Sequence, residues 1–294
     1  MKRLSPRRSM AVCALMLVAA AAGDARAEVV ILPLAPTAPV EVHSPPAPRP
    51  DAVPIDEHTA RLIGARRLKL GILAFEYGLT DWLSVGTDPP EWAVRAFTSI
   101  LVPNLHVKGQ FFRSSTVLVA GQAGIYAADV DHGTASGWLI TVPLTLYASG
   151  RLLPWLWLHL EGAYNFARAW GSGDVEKTDV LGTGVARSAQ VGAMAELRVN
   201  RVVGFLVRGR YQFYESNIVF EGSGMVDAFT QANGSLELEP LVRHPAMVTA
   251  SIALTWKYVG VIAGAGYGRY FVPGANVALQ YEGVVPEGAL WAVF

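Results

Sequence analysis

The sequence predicts an all-β fold: a closed, antiparallel, up-and-down transmembrane β-barrel of about 12 strands, or about 10 on the alternative count, with short turns at one end and long loops at the other. Three observations predict it. Residues from about Leu68 onward form segments in which apolar and polar side chains alternate with period two, the signature of strands. These segments run about 10–15 residues, longer than the roughly 5–6 of soluble sheets and close to the roughly 9–11 that a tilted strand needs to cross a bilayer. Hydrophobic residues make up 52 % of the chain and charged residues only 16 %, below the roughly 25 % typical of soluble domains. No stretch, however, reads as a transmembrane helix. Pro245–Gly268 comes nearest, but Thr249, Ser251, Thr255 and Lys257 oppose Val248, Ala250, Ile252, Leu254 and Trp256 on alternate positions, which is strand periodicity.

The chain opens with a basic stretch (Lys2, Arg3, Arg7, Arg8), an apolar run from Met10 to Ala22, and the small-x-small triplet Ala25-Arg26-Ala27. This pattern predicts a secretory signal peptide over 1–27, cleaved after Ala27. Cys13 follows Val12 rather than the small residue a lipoprotein signal needs. Cleavage removes that single cysteine, so no disulfide is available to the mature chain. It also leaves 19 basic and 23 acidic residues, a net charge of −4, which argues against a nucleic-acid partner.

Residues 28–60 are expected to be a Pro-rich periplasmic segment, largely disordered. Pro33, Pro36, Pro39, Pro45, Pro46, Pro48, Pro50 and Pro54 favour extended polyproline II and are incompatible with a sheet interior. The barrel is expected over 61–294. Eleven segments begin near 68, 82, 104, 115, 136, 155, 185, 202, 246, 260 and 277. Barrels of this kind have an even strand number, so 58–67 or 28–43 would supply a twelfth. Residues 91–102, EWAVRAFTSILV, could instead form a short amphipathic helix or an external flap.

The connections are expected to alternate. Short ones lie near Leu79–Asp81, Arg113–Ser115, Ser149–Leu153, Asn200–Val202 and Val259–Gly260, and long ones over 87–103, 129–135, 169–184 and 221–245. Barrels of the outer membrane keep short turns in the periplasm, so the short set is assigned there. Register sharpens one turn. Residues 190–199 and 203–212 both carry polar groups at even positions. A three-residue loop pairing 199 with 203 keeps both faces intact, whereas a two-residue loop would invert one. That register sets Glu196 diagonal to Arg208.

With its leader, the terminal GALWAVF of 288–294 and the stretches YGLTDWLSVGT and PNLHVKGQF at 77–87 and 103–111, the chain resembles the outer-membrane β-barrel proteins of Gram-negative bacteria, among them uncharacterised, porin-like small barrels. The signal peptide carries part of the likeness. The terminal GALWAVF carries more, with Leu290 and Ala292 alternating toward a final Phe294, and so does YGLTDWLSVGT followed by PNLHVKGQF at 103–111. The resemblance implies an outer-membrane location, contact with outer-membrane lipid, and recognition of the C-terminal strand (Leu290, Ala292, Phe294) by the barrel-assembly machinery.

In a membrane barrel the polar face turns inward. Glu76, Lys108, Gln122, His159, Glu161, Glu196, Arg198, Arg208, Arg210 and Lys257 are the expected lumen-lining set. Such a set could line a narrow channel for small polar solutes or ions, or fill the interior of a plugged structural barrel that adheres through its external loops. An outer-membrane lipid hydrolase is a third reading. His159, Glu161 and Ser188 are the residue types of a triad, but mid-strand lumen is the wrong height for a lipid carbonyl. No catalytic residue, cofactor or metal is therefore expected. Asp129, Asp131, His132, Asp174 and Asp179 read as solvated loop tips.

Overall fold

The computed structural model describes residues 58–89, 103–132, 135–175, 178–216, 218–227, 230–238, 244–271 and 278–294. The expected signal peptide, most of the Pro-rich segment and residues 91–102 lie outside the described residues.

Alternation becomes strand along almost all of this length. The strands are β1 (Leu68–Gly71), β2 (Phe75–Thr80), β3 (Leu83–Thr87), β4 (Asn104–Arg113), β5 (Val117–His132), β6 (Ala135–Leu153) and β7 (Leu156–Val175). They continue as β8 (Thr178–Arg198), β9 (Val203–Glu215), β10 (Ile218–Asp227), β11 (Thr230–Leu238), β12 (Ala246–Thr255), β13 (Val259–Phe271) and β14 (Ala278–Val293). Twelve of these, β1–β9 and β12–β14, pair antiparallel with both neighbours and close into a ring. The remaining two, β10 and β11, form a hairpin attached to the upper part of β8, where Val219 lies opposite Val185. The ring has the expected 12 strands, and no open edge is left where the wall would meet hydrocarbon, in which unpaired backbone groups find no partner.

The faces invert those of a soluble protein. Leu105, Leu146, Leu160, Val191, Phe205, Val207 and Ile252 point outward and are exposed. Glu196 is 0 % exposed and Arg210 5 %. Along β7 the outward positions Leu156, Leu158, Leu160, Gly162, Tyr164 and Phe166 are followed by an exposed Arg168. That apolar run has the length of one membrane crossing. Exposed aromatics Phe111, Phe112, Trp155, Trp256, Tyr258 and Phe294 ring the short-turn end, the position of an interfacial girdle.

The twelfth strand is not where it was expected. Residues 58–67 are not a strand, and 28–43 lie outside the described residues. The run LKLGILAF instead breaks into β1 and β2, with Gly71 N–H donating to the Ala74 carbonyl at 3.0 Å. An all-apolar turn carries no Gly-Pro-Asn punctuation, so alternation alone reads it as one strand.

Two short turns are displaced. The β6–β7 turn is Pro154–Trp155 rather than Ser149–Leu153, and the β12–β13 turn is Trp256–Tyr258 rather than Val259–Gly260. Most of the expected long loops are strand: β6, β7 and β8 reach 19, 20 and 21 residues, about twice a membrane crossing. Asp129, Asp131, His132, Asp174 and Asp179 therefore lie on strands. Beyond the bilayer both sheet faces meet water, so the alternation that betrays a strand disappears. The three-residue Asn200–Val202 turn forms as expected, with Val199 N–H donating to the Val203 carbonyl at 3.0 Å and Leu197 opposite Phe205. The Asn200 carboxamide oxygen closes it, accepting from the Val202 and Val203 N–H groups at 2.7 and 2.8 Å.

The ring seals between β1 and β14 over three pairs, Lys69–Gly71 with Trp291–Val293. Leu68 and Phe294 extend the seam by exchanging backbone hydrogen bonds at 3.1 and 2.9 Å. Leu290 and Phe294 face outward on this strand.

Candidate functional site

The candidate site is the lumen, and the chain itself occupies it. Residues 58–66 leave β1 at the short-turn end and run up the interior. Gly64 (φ +88°) and Arg66 (φ +58°) take left-handed conformations there, a cost that glycine escapes and arginine does not. Arg66 N–H donates to the Gly78 carbonyl at 2.7 Å, and Ala65 N–H to Asp81 Oδ1 at 3.1 Å, anchoring the base to the β2–β3 hairpin. A Cβ on Gly78 would overlap the Gly64 carbonyl oxygen, so this approach needs glycine.

Above that anchor the segment is held by side chains from five wall strands. Arg61 Nη1 donates to Glu196 Oε2 at 2.7 Å, and its guanidinium lies 4.4 Å from the Trp157 ring centroid. Ala60 N–H donates to Ser149 Oγ at 2.9 Å, and Gln110 Nε2 donates to the Ala60 carbonyl at 2.7 Å. Its methyl group packs among Leu118, Ala120 and Tyr147, with Trp157 alongside. His58 Nδ1 lies 3.2 Å from both Glu161 Oε2 and Arg210 Nη2. Thr59 and Ala60 are both 0 % exposed. These last residues of the expected Pro-rich segment are thus inside the barrel.

The expected lumen set is brought together almost completely. Glu161 accepts from Arg210 Nε at 2.7 Å, and Glu196 accepts from Arg198 and faces His159 Nε2 at 3.0 Å. Arg208 pairs with Glu287 at 2.9 Å, and Ser251 donates to the same carboxylate. Glu76 accepts from Ser84, Lys108 Nζ sits 4.7 Å from the Tyr147 ring centroid, and Gln122 Oε1 is 3.4 Å from the Tyr147 hydroxyl. Buried charges of this kind are tolerable only when paired.

One expectation needs correction. Lys257 does not line the lumen: it is exposed in the β12–β13 turn, 4.8 Å from the Tyr258 ring centroid. Parity placed it inward, but the strand ends at Thr255 and parity stops with it. Glu196 and Arg208 are diagonal as expected, with Arg61, Arg198 and His159 on the Glu196 carboxylate and Glu287 on Arg208. Sequence reasoning missed His58, Arg61, Ser149, Gln110 and Glu287. The first two belong to no alternating segment, so no periodicity pointed inward.

Ser149, His159 and Glu196 are connected like a hydrolase triad, with Ser149 Oγ 2.8 Å from His159 Nδ1 and His159 Nε2 3.0 Å from Glu196. Ser149 and Glu196 both bind the inner segment. The Ser149 oxygen accepts the Ala60 N–H, is 1 % exposed, and has a backbone amide where an acyl carbon would stand. Ser188 lies higher, hydrogen-bonded to Asn165 at 3.2 Å, and takes no part.

Apolar groups also line the described interior near the seam. Met194, Leu206, Ala253, Ile262, Trp291 and Val293 form one cluster, and Met247, Phe271 and Val285 another further up.

A closed antiparallel ring, apolar outside and ion-paired inside, defines a β-barrel of the outer-membrane type. No family model matches the chain, and no curated protein matches it. Among solved structures, the translocator domain of the autotransporter NalP from Neisseria meningitidis is similar, at 11 % identity and a TM-score of 0.43, over 78 % of this chain and 85 % of that one.

Proposed function

We propose that the protein is a narrow outer-membrane conduit for small polar solutes or ions, held shut by its own residues 58–66. The carrying observation is that this segment lies in the lumen on hydrogen bonds and ion pairs to β4, β6, β7, β8 and β9. Every tie is reversible. The wall behind it is polar, with Glu161, Glu196, Lys108 and Arg210 ready to line an aqueous path once the segment withdraws. The short turns face the periplasm in this reading, and the 19–21-residue strands β6–β8 rise outside the cell. The protein needs no cofactor or metal for this work. Outward Leu290 and Phe294 suit the C-terminal strand to recognition by the assembly machinery.

Planar-bilayer recording of the full barrel and of a variant lacking 58–66 tests the proposal. The full barrel is expected to be silent or to open rarely, and the variant to give steady single-channel steps. A folded deletion variant that stays silent overturns it. That result would favour the second reading, a plugged adhesive barrel, for which the specific observation is the wall raised by β6–β8 and widened by the β10–β11 hairpin.

A further inference from the structure

Two arginines break the lipid-facing surface at one place. On β7 the outward apolar run ends at Phe166, and Arg168 follows. On β8 the outward positions Val191 and Ala189 are followed by Arg187. The ladder sets Phe166 opposite Arg187 and Arg168 opposite Val185. The two arginines are therefore diagonal neighbours on one face, close enough for long side chains to share a ligand.

Both are exposed. Arg187 Cζ lies 6.0 Å from the Phe166 ring centroid, a cation–π contact that steadies its guanidinium against the wall. Exposed Tyr164, Tyr214 and Trp170 surround the pair, Tyr164 and Tyr214 both opposite Ala189. The backbone beneath is fixed. Arg187 N–H donates to Ser216 Oγ at 2.9 Å, and Ser216 N–H donates to the Arg187 carbonyl at 2.8 Å, where β9 leaves β8.

Neither guanidinium has a carboxylate within ion-pair distance among the described residues. Arg269, also toward the long-hairpin end, is paired with Glu282 at 2.8 Å. An arginine facing hydrocarbon is strongly disfavoured at mid-bilayer and nearly neutral at the interface. Arg168 and Arg187 sit where a full crossing has been completed and headgroups begin. Guanidinium forks match phosphate oxygens bidentately, and phosphates are the anions concentrated at headgroup depth.

We propose that Arg168 and Arg187 form a binding site for the phosphate of an anionic lipid headgroup in the leaflet at the long-hairpin end. The site rests on the reading of the chain as a membrane barrel and is independent of whether the barrel conducts.

Native mass spectrometry of the detergent-purified full chain, supplied with phosphatidic acid or phosphatidylcholine, tests it. The wild type is expected to retain phosphatidic acid in preference to phosphatidylcholine. Arg168→Gln with Arg187→Gln is expected to lower that retention about tenfold, the scale of one charge-assisted contact. Arg113→Gln with Arg151→Gln, the same charge change at the short-turn end, should leave it unchanged. Arg187→Lys, which keeps charge and loses the fork, should give a smaller loss in a barrel whose fold is least disturbed. Equal loss in both double variants, absence of selectivity in the wild type, or complete displacement by an equal concentration of inorganic phosphate overturns the proposal. Failure of the membrane reading would show separately, as failure of the chain to insert into lipid vesicles.

Discussion

Arg61 and Glu196, 135 positions apart in sequence, meet at 2.7 Å inside the barrel. This ion pair ties the inner segment to the wall, and its two ends are unequal. Glu196 is also held by Arg198 and His159, and Arg61 also stacks on Trp157. Arg61→Ala leaves the carboxylate with two partners and is expected to cost roughly 1–3 kcal/mol, chiefly by loosening the segment. Glu196→Ala strands buried cations and is expected to cost about 3–5 kcal/mol. Thermal unfolding followed by heat-modifiable gel mobility reads both. A larger loss for Arg61→Ala than for Glu196→Ala would contradict the arrangement.

The inner segment depends on a missing side chain. A Cβ at position 78 would run into the Gly64 carbonyl oxygen, a backbone atom that has nowhere to retreat. Gly78→Ala is therefore expected to lift the base of the segment off the β2–β3 hairpin while leaving the ring closed. Ala60→Cys supplies the readout: the only native cysteine is Cys13, ahead of the expected cleavage point. A thiol reagent added to the folded barrel should label Cys at 60 slowly with Gly78 present and at least several-fold faster with Gly78→Ala. Equal rates would mean that the approach of Gly64 to Gly78 does not hold the segment.

What the sequence reveals about this fold follows from where water is absent. Inside the bilayer each strand has one apolar and one largely polar face, so Leu158 against His159, or Phe205 and Val207 against Arg208 and Arg210, shows its period directly. The Asn200–Val202 turn was legible for the same reason, because a two-residue loop would put Glu196 and Arg208 on opposite sides. Legibility fails where that asymmetry fails. The Ile72–Ala74 turn is apolar and hides in an apolar run. The upper parts of β6–β8 carry no regular apolar–polar alternation and read as loops. Residues 58–66 make one-off contacts with five strands, a tertiary arrangement with no local period. For the site, the wall half of each ion pair was therefore readable, as with Glu161 and Glu196, while the partners His58 and Arg61 were not.

The polarity of the two faces makes a sharp comparison possible within one strand. Val191 faces outward, 46 % exposed, and Met194 faces the interior, 3 % exposed. Val191→Arg places a charge against hydrocarbon and is expected to cost about 2–4 kcal/mol. Val191→Leu should be neutral in lipid. Chemical denaturation of the barrel folded into vesicles measures both. Should Val191→Arg be harmless there while remaining folded, the outward face is not in contact with lipid.

The register of β8 against β9 makes the strictest demand. The three-residue turn sets Leu197 opposite Phe205, both outward, and the Arg198–Gly204 and Glu196–Leu206 pairs keep the neighbouring positions inward. One residue inserted after Arg201 shifts the pairing by one. Either β9 then turns Phe205 and Val207 into the lumen and Arg208 and Arg210 into lipid, or the turn must bulge to absorb the extra residue. Two arginines on the lipid face would each carry the penalty above, so the bulge is the cheaper outcome. Two residues inserted at the same place restore parity without a bulge. Folding yield into vesicles is therefore expected to fall sharply for the single insertion and to recover for the double one. The Glu161–Arg210 pair, whose geometry depends on this register, supplies the second readout: because the bulge keeps the register, Glu161→Gln should destabilise the single-insertion barrel as it does the parent, and a negligible further loss would mean that β9 has turned over instead.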